Sequence, residues 1–142
     1  MKGRKQFTLA STDVRLTLPA RPENVAVIRH VLGAFAEALD LPADVVEDMR
    51  LAVTEACTNV VRHAYQDELG PIDVVIRPSG DGLELIVIDH GRGMGRSPDT
   101  SGPGLGLSLI AAVAESVKIE SGSPRGSRLA MVFPCKPRLM VV

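Results

Sequence analysis

The chain has 142 residues, enough to bury one core, and its hydrophobic fraction of 45% and charged fraction of 23% are ordinary for a globular protein. Its formal net charge is −1, with 16 Lys and Arg against 17 Asp and Glu, so it lacks the basic excess that nucleic-acid binding proteins usually show. No apolar run approaches the roughly 18 residues that can span a bilayer. Composition therefore argues against direct nucleic-acid binding and against a membrane protein.

Two features predict a cytoplasmic location. The basic N-terminus, residues 1–5, is not followed by the apolar segment of a secretion signal. Cys57 and Cys135 lack the spacing of a zinc site or of a disulfide framework, so we expect two reduced thiols.

The first half of the chain predicts one strand and two helices. Residues 14–18 alternate between apolar and polar side chains, as a strand does. Pro22 suits the first position of a helix, because proline lacks the N–H that would be unpaired there, and apolar residues at helical spacing extend this helix to about residue 38. A second helix is predicted over about 43–64, with a packing side and a separate polar side.

The second half predicts four strands and one helix. The residues Gly80-Asp-Gly82 indicate a hairpin turn between two apolar strands. A glycine-rich loop then precedes a third helix and two closing strands. The predicted ranges are strands 72–77 and 83–88, loop 91–104, helix 105–116, and strands 117–121 and 127–133.

Strands grouped with helices, without strict alternation of the two, favour an α+β fold. We expect a two-layer sandwich in which one mixed or antiparallel sheet is covered on one face by about three helices. Because no repeat or linker divides the chain, we expect a single domain over residues 1–142 with its core at about 14–133.

Glu55 and Asn59 form the first candidate functional pair. They are separated by one helical turn and by about 40° around the helix, so their side chains project to the same side. An amide oxygen is a suitable Mg²⁺ ligand, and a carboxylate beside it can act as a general base in phosphoryl transfer. The alternative is a solvated polar face, against which Asn59 argues mildly because asparagine is a poor helix former.

Asp89 ends an apolar strand and opens a turn that contains Gly91 and Gly93. A carboxylate at this place can accept a hydrogen bond from an exocyclic amino group such as that of adenine. The glycines let the backbone approach a flat base without a Cβ clash. A simple turn is the alternative, because Asp and Gly are common turn residues.

A second glycine-rich segment, Gly102-Pro-Gly-Leu-Gly-Leu107, leads into the third predicted helix. Backbone N–H groups at the positive end of a helix form an anion-binding site, whereas the alternative is a flexible loop with a glycine cap. The spacing differs from the G-x-G-x-x-G of a dinucleotide-binding fold, and no lysine stands at the helix start as in a P-loop.

The order of these three motifs resembles the three boxes of the GHKL ATPase/kinase superfamily, which includes gyrase-type ATPases and histidine kinases. Within it, residues 54–65 resemble the N box of the bacterial anti-sigma-factor serine/threonine kinases, and the resemblance extends over about 14–133. It implies binding of ATP and Mg²⁺ and phosphorylation of a Ser or Thr on an anti-sigma-factor antagonist. It also implies a sigma factor as second partner, transcription regulation by partner switching, and a possible homodimer.

The resemblance also implies roles for individual residues. Glu55 corresponds to the catalytic base, Asn59 to the Mg²⁺ ligand, and Asp89 to the acid that binds the adenine amino group. The hydroxyl of Ser127 corresponds to the group that supports this acid. The remaining positions expected at the nucleotide are His63, Gly91, Gly93, Met94, Gly102, Gly104, Leu105, Gly106 and Leu107.

Two departures from the family pattern leave alternatives open. The lid over 94–101 is short and carries Thr100-Ser101 where some relatives place a basic residue, and Pro103 would stiffen a loop that is expected to move. One alternative is an ATP-binding regulatory module of the same fold with little or no kinase activity. The other is a stand-alone catalytic domain of the histidine-kinase type.

Overall fold

A computed structural model describes residues 13–65, 68–80, 82–91, 103–121 and 126–134. These residues form one antiparallel sheet with the strand order β1-β2-β3-β5-β4 and three α-helices. The strands are β1 (Val14–Pro19), β2 (Pro71–Ser79), β3 (Gly82–Asp89), β4 (Ser116–Ser121) and β5 (Ser127–Pro134). The helices are α1 (Pro22–Ala38), α2 (Ala43–Asn59) and α3 (Pro103–Val113).

The main core lies between one face of the sheet and the helices. Side chains alternate between the two faces of a strand, so Ile72, Val74 and Ile76 of β2 face the helices together with their neighbours on β3 and β5. Ile28 and Leu32 of α1 close the core from the other side. The predicted α+β sandwich is therefore confirmed, and its sheet is antiparallel.

Helix α2 is buried more deeply than its sequence pattern predicted. It packs against α1, α3 and the sheet, so residues on several of its sides are covered. Ala52 has no exposed surface, and Asn59, on the side predicted to be polar, is 5% exposed. Burial also raises the pKa of the Cys57 thiol to about 12, which leaves this cysteine protonated.

Three predicted helix boundaries were wrong. The α-helix predicted over about 43–64 ends at Asn59 and continues as a π-helical turn, Val60–Ala64. The third helix was predicted over 105–116, but it covers Pro103–Val113 and β4 begins at Ser116. Pro103 is therefore the first residue of a helix, a position that suits proline, and does not stiffen a loop.

The opposite face of the sheet carries a small polar cluster around Asp73, which is 5% exposed. Its carboxylate accepts hydrogen bonds from Thr17 Oγ1 at 2.6 Å and from Arg15 at 3.0 Å. The Nε2 of His90 lies 3.3 Å from the same carboxylate. Burial opposes ionisation, but these partners outweigh it and hold the pKa of Asp73 below its ordinary value.

Asp73 is expected to contribute stability that disappears in acid. Because its pKa is lower in the folded chain than in the unfolded chain, the contribution is present above the unfolded value and is lost as the pH falls through the folded value. We expect Asp73→Asn to lose about 1–3 kcal/mol of unfolding free energy near neutral pH, and this difference from wild type to shrink below about pH 4. Urea unfolding at several pH values measures it.

Glu120→Gln provides a control, because Glu120 is an exposed partner of Lys118 and Arg128 on the same sheet and exposed pairs contribute little. A difference between wild type and Asp73→Asn that stays constant from pH 7 to pH 3 would contradict the prediction.

Candidate functional site

The C-terminal half of α2 brings Glu55 and Asn59 to one side of the helix, one turn apart. Glu55 is half-buried, and no ion pair between described residues engages it. Asn59 is 5% exposed, and its Nδ2 has no hydrogen-bond partner among the described residues. A buried donor atom without a partner costs free energy, so the Nδ2 position of Asn59 is a candidate for contact with a ligand.

Asp89 lies at the C-terminal end of β3, and both oxygens of its carboxylate accept hydrogen bonds. The Gly91 N–H donates to Oδ1 at 2.8 Å, and the Ser127 hydroxyl donates to Oδ2 at 2.5 Å. Asp89 is 3% exposed and pairs with Ser127 in the register of β3 and β5. Each carboxylate oxygen still has a lone pair, so Asp89 can accept a further hydrogen bond from a ligand.

Asp89 faces the helices. Leu85 and Val87, four and two residues earlier on β3, belong to the core between sheet and helices, and alternation puts Asp89 on that same face. The buried amide of Asn59 belongs to the helix layer that covers this face. The structure thus brings the first two motifs to the same side of the sheet.

Gly91 closely approaches the segment that follows α2. A Cβ atom on Gly91 would lie 2.0 Å from the carbonyl oxygen of Ala64, at the end of the π-helical turn. The glycine is therefore required by the close approach of the turn to the backbone that follows α2. On the other side, Gly126 has φ +95°, and a Cβ there would lie 2.5 Å from the carbonyl oxygen of Asp89.

The second glycine-rich segment enters the fold as a helix. Gly104, Leu105 and Gly106 lie in the first turns of α3, although they were predicted to form a loop and its junction with a helix. The first N–H groups of a helix have no carbonyl partner within it and attract anions. Leu107 packs partly buried against the main core, which attaches α3 to α2 and the sheet.

The remaining predicted site residues divide into two groups. His63 lies half-buried in the π-helical turn, directly before Ala64. Gly93, Met94 and Gly102 lie outside the described residues, so their predicted roles are untested.

One residue without a predicted role, Tyr65, lies at the centre of the contacts that hold this region. Its hydroxyl donates a hydrogen bond to the Pro71 carbonyl at 2.7 Å and accepts one from the His90 N–H at 2.8 Å. A sequence signal existed, because Tyr65 is the single tyrosine of a chain that is poor in aromatic residues and it follows the first motif closely.

No helix among the described residues is long and apolar enough to cross a bilayer. The same residues contain no group of three or more His, Cys, Asp or Glu side chains that could hold a metal ion.

Comparison with known proteins places this chain in a family. Residues 18–133 match the histidine kinase-like ATPase domain. The serine-protein kinase RsbW of Bacillus cereus strain Q1 is 35% identical, with 75% of this chain and 76% of the relative aligned. The serine-protein kinase RsbW of Bacillus velezensis is also 35% identical, with 78% and 79% aligned.

Solved structures support the fold. The RsbU and RsbW domains of Rv1364c from Mycobacterium tuberculosis superpose with a TM-score of 0.70 at 22% identity, over 87% of this chain and 32% of that longer one. A blue-light activated histidine kinase of Erythrobacter litoralis superposes with a TM-score of 0.59 at 19% identity, over 90% of this chain and 66% of that one. The chain belongs to the histidine kinase-like ATPase domain family and, within it, to the group of the RsbW serine-protein kinases.

Proposed function

We propose that this chain binds ATP with Mg²⁺ and transfers the γ-phosphoryl group to a Ser or Thr of an anti-sigma-factor antagonist in the cytoplasm. In this proposal the chain also sequesters a sigma factor, and phosphorylation decides which partner it holds. A new phosphate adds a charge of about −1.5 to −2 to the contact surface of the antagonist, which disfavours its rebinding.

The observation that carries the proposal is the buried amide of Asn59. Its Nδ2 lacks a partner in the described part of the chain, and the amide lies one helical turn from the Glu55 carboxylate. Rotation of the amide exchanges its oxygen and nitrogen, so the same position can offer a carbonyl oxygen to a cation. The alternative, a solvated polar face of the helix, is inconsistent with the 5% exposure of Asn59.

Asn59 would hold Mg²⁺, with water and phosphate oxygens as the other ligands, since Mg²⁺ keeps several waters and binds few protein groups. When bound, the ion would neutralise charge on the phosphates. The N–H groups that open α3 would face the same anion.

Asp89 would select adenine. Its carboxylate is held at two points, by Gly91 and Ser127, and keeps lone pairs for the exocyclic amino group. Guanine carries a carbonyl in place of that amino group, so it would meet a second acceptor. This contact favours ATP over GTP.

Glu55 would accept the proton of the attacking hydroxyl. Its side chain projects to the same side of α2 as Asn59, and its half-burial leaves part of the carboxylate accessible to a substrate. The hydroxyl oxygen attacks the γ-phosphorus, the bond to ADP breaks, and the proton passes to Glu55. The products are ADP and a phosphorylated Ser or Thr.

Calorimetry with ATP tests binding, and labelled ATP tests transfer. We expect saturable ATP uptake that weakens when EDTA removes Mg²⁺, and weaker uptake of GTP. Adding the purified chain with γ-labelled ATP to a native extract should label a small protein on Ser or Thr. No uptake at millimolar ATP by folded protein would refute the proposal.

A second candidate is an ATP-binding module without efficient transfer. The sequence favours it, because the predicted lid over 94–101, which lies outside the described residues, is short and carries Thr100-Ser101 where some relatives place a basic residue. The two candidates share ATP binding and differ in the labelling experiment. Tight ATP binding with no labelled protein in any extract would favour the module.

A further inference from the structure

The turn formed by Asp89, His90 and Gly91 is held by a different neighbour at each residue. The hydroxyl of Ser127 donates a hydrogen bond to the carboxylate of Asp89, and Gly91 lies close to the backbone carbonyl of Ala64. Between these two contacts, the N–H of His90 donates to the hydroxyl of Tyr65 at 2.8 Å. Ser127 belongs to β5. Ala64 and Tyr65 belong to the segment that follows α2, the helix that carries Glu55 and Asn59.

The orientation of Tyr65 is fixed by packing. A Cβ atom on Gly70 would lie 2.1 Å from its ring, so the ring occupies the space that this glycine leaves. The hydroxyl proton goes to the carbonyl oxygen of Pro71, the first residue of β2. The hydroxyl oxygen is then the acceptor for His90, and the direction of both hydrogen bonds is set.

Burial raises the pKa of Tyr65, the hydrogen bond from His90 acts in the opposite direction, and the negative charges of Asp89 and Asp73 add to the increase. The phenol therefore stays protonated at and above neutral pH, which is the form that donates to Pro71.

We propose that Tyr65 is a positioning residue for the adenine end of the site. Its hydroxyl fixes the turn that carries Asp89 relative to the helix that carries Glu55 and Asn59, so the preference for a purine with an amino group depends on that hydroxyl. The inference depends on the proposed function, because it takes Asp89 as the adenine-binding acid. Tyr65 itself need not touch the nucleotide.

The direct test is Tyr65→Phe, which keeps the ring in the space beside Gly70 and removes both hydrogen bonds. Calorimetry compares ATP with purine riboside triphosphate, an analogue that lacks the 6-amino group. We expect ATP affinity to fall about 3- to 10-fold, as for the loss of one positioning hydrogen bond, and the analogue to be affected less. The preference for ATP over the analogue should therefore shrink.

Ile28→Val provides the control for general destabilisation. It removes one methylene from a core residue of α1. We expect it to lower the free energy of unfolding about as much as Tyr65→Phe does, without changing the preference for ATP over the analogue. Urea unfolding measures whether the two variants lose a similar free energy of unfolding. If both variants lower the preference equally, Tyr65 acts through stability alone and the inference is wrong.

A second measurement does not depend on the folding of a variant. Because Tyr65 is the single tyrosine, incorporation of 3-fluorotyrosine labels this position alone. ATP should shift the fluorine NMR signal more than purine riboside triphosphate does at equal saturation. Equal shifts, or no shift with either ligand, would overturn the inference.

The outcomes separate this inference from the proposed function. If wild type binds no ATP, the proposed function fails and the positioning role fails with it. If wild type binds ATP and prefers it over the analogue, while Tyr65→Phe keeps both the affinity and the preference, only the positioning role is refuted.

Discussion

Glu55→Gln is expected to lower phosphoryl transfer by about 10²-fold or more and to leave ATP affinity near that of wild type. The substitution keeps the shape of the side chain and removes its ability to take a proton. Because Glu55 is half-buried and unpaired among the described residues, its replacement breaks no ion pair there. Single-turnover labelling measures transfer, and calorimetry measures binding.

Glu47→Gln is the matched control, since it makes the same exchange on an exposed position of the same helix. It should transfer phosphate at the wild-type rate. Wild-type transfer by Glu55→Gln would remove Glu55 from its proposed role, whereas a loss of ATP affinity in this variant would indicate a contact with the nucleotide.

The separation of binding from transfer in Glu55→Gln also bears on the alternative function. A binding module has no transfer to lose, so this variant and wild type would behave alike. A kinase would lose transfer and still hold ATP. The experiment therefore distinguishes the two proposals that agree on ATP binding.

The strands were predictable because their patterns are local. Alternation identified β1, and the Gly80-Asp-Gly82 turn identified the β2–β3 hairpin. Both strands of this hairpin are longer than predicted, Pro71–Ser79 and Gly82–Asp89. Their additional end residues pair in the sheet although their side chains do not continue the apolar pattern.

The helix that carries the first motif was harder to predict, because its surroundings decide its burial. Sequence periodicity gave one packing side, but three neighbouring elements cover α2, so Asn59 is buried where a polar side was expected. The π-helical turn Val60–Ala64 also has no signal in apolar spacing. Such turns are frequent at functional sites, and this one ends at the contact with Gly91.

The hydrogen bonds around Asp89 were only partly predictable from the sequence, because they join residues that the fold brings together. Ser127 was predicted to support Asp89, and the structure joins the two directly at 2.5 Å. Tyr65 received no predicted role, because its partners are carried by β2 and by the residue after β3. Contacts between residues distant in the chain depend on strand order, which motif spacing alone does not determine.

Asp89→Asn is expected to lower ATP affinity by about 10- to 100-fold, which corresponds to the loss of a hydrogen bond to a charged group. The Asp89 carboxylate accepts from both Gly91 and Ser127 and, in the proposed function, from the adenine amino group. An amide replaces one of its oxygens by an NH₂ group, which cannot accept. In either orientation the amide thus gives up one of these hydrogen bonds or faces the adenine amino group with a second donor.

The preference for ATP over purine riboside triphosphate gives the specific readout. It should fall strongly in Asp89→Asn, because the amide has one acceptor oxygen fewer for Gly91, Ser127 and the adenine amino group, and it should fall less in Ser127→Ala, which leaves the carboxylate in place. Asp44→Asn makes the same exchange on the exposed first turn of α2 and should bind like wild type. If folded Asp89→Asn retains both wild-type affinity and wild-type preference, adenine is recognised elsewhere, and Asp89 loses its proposed role.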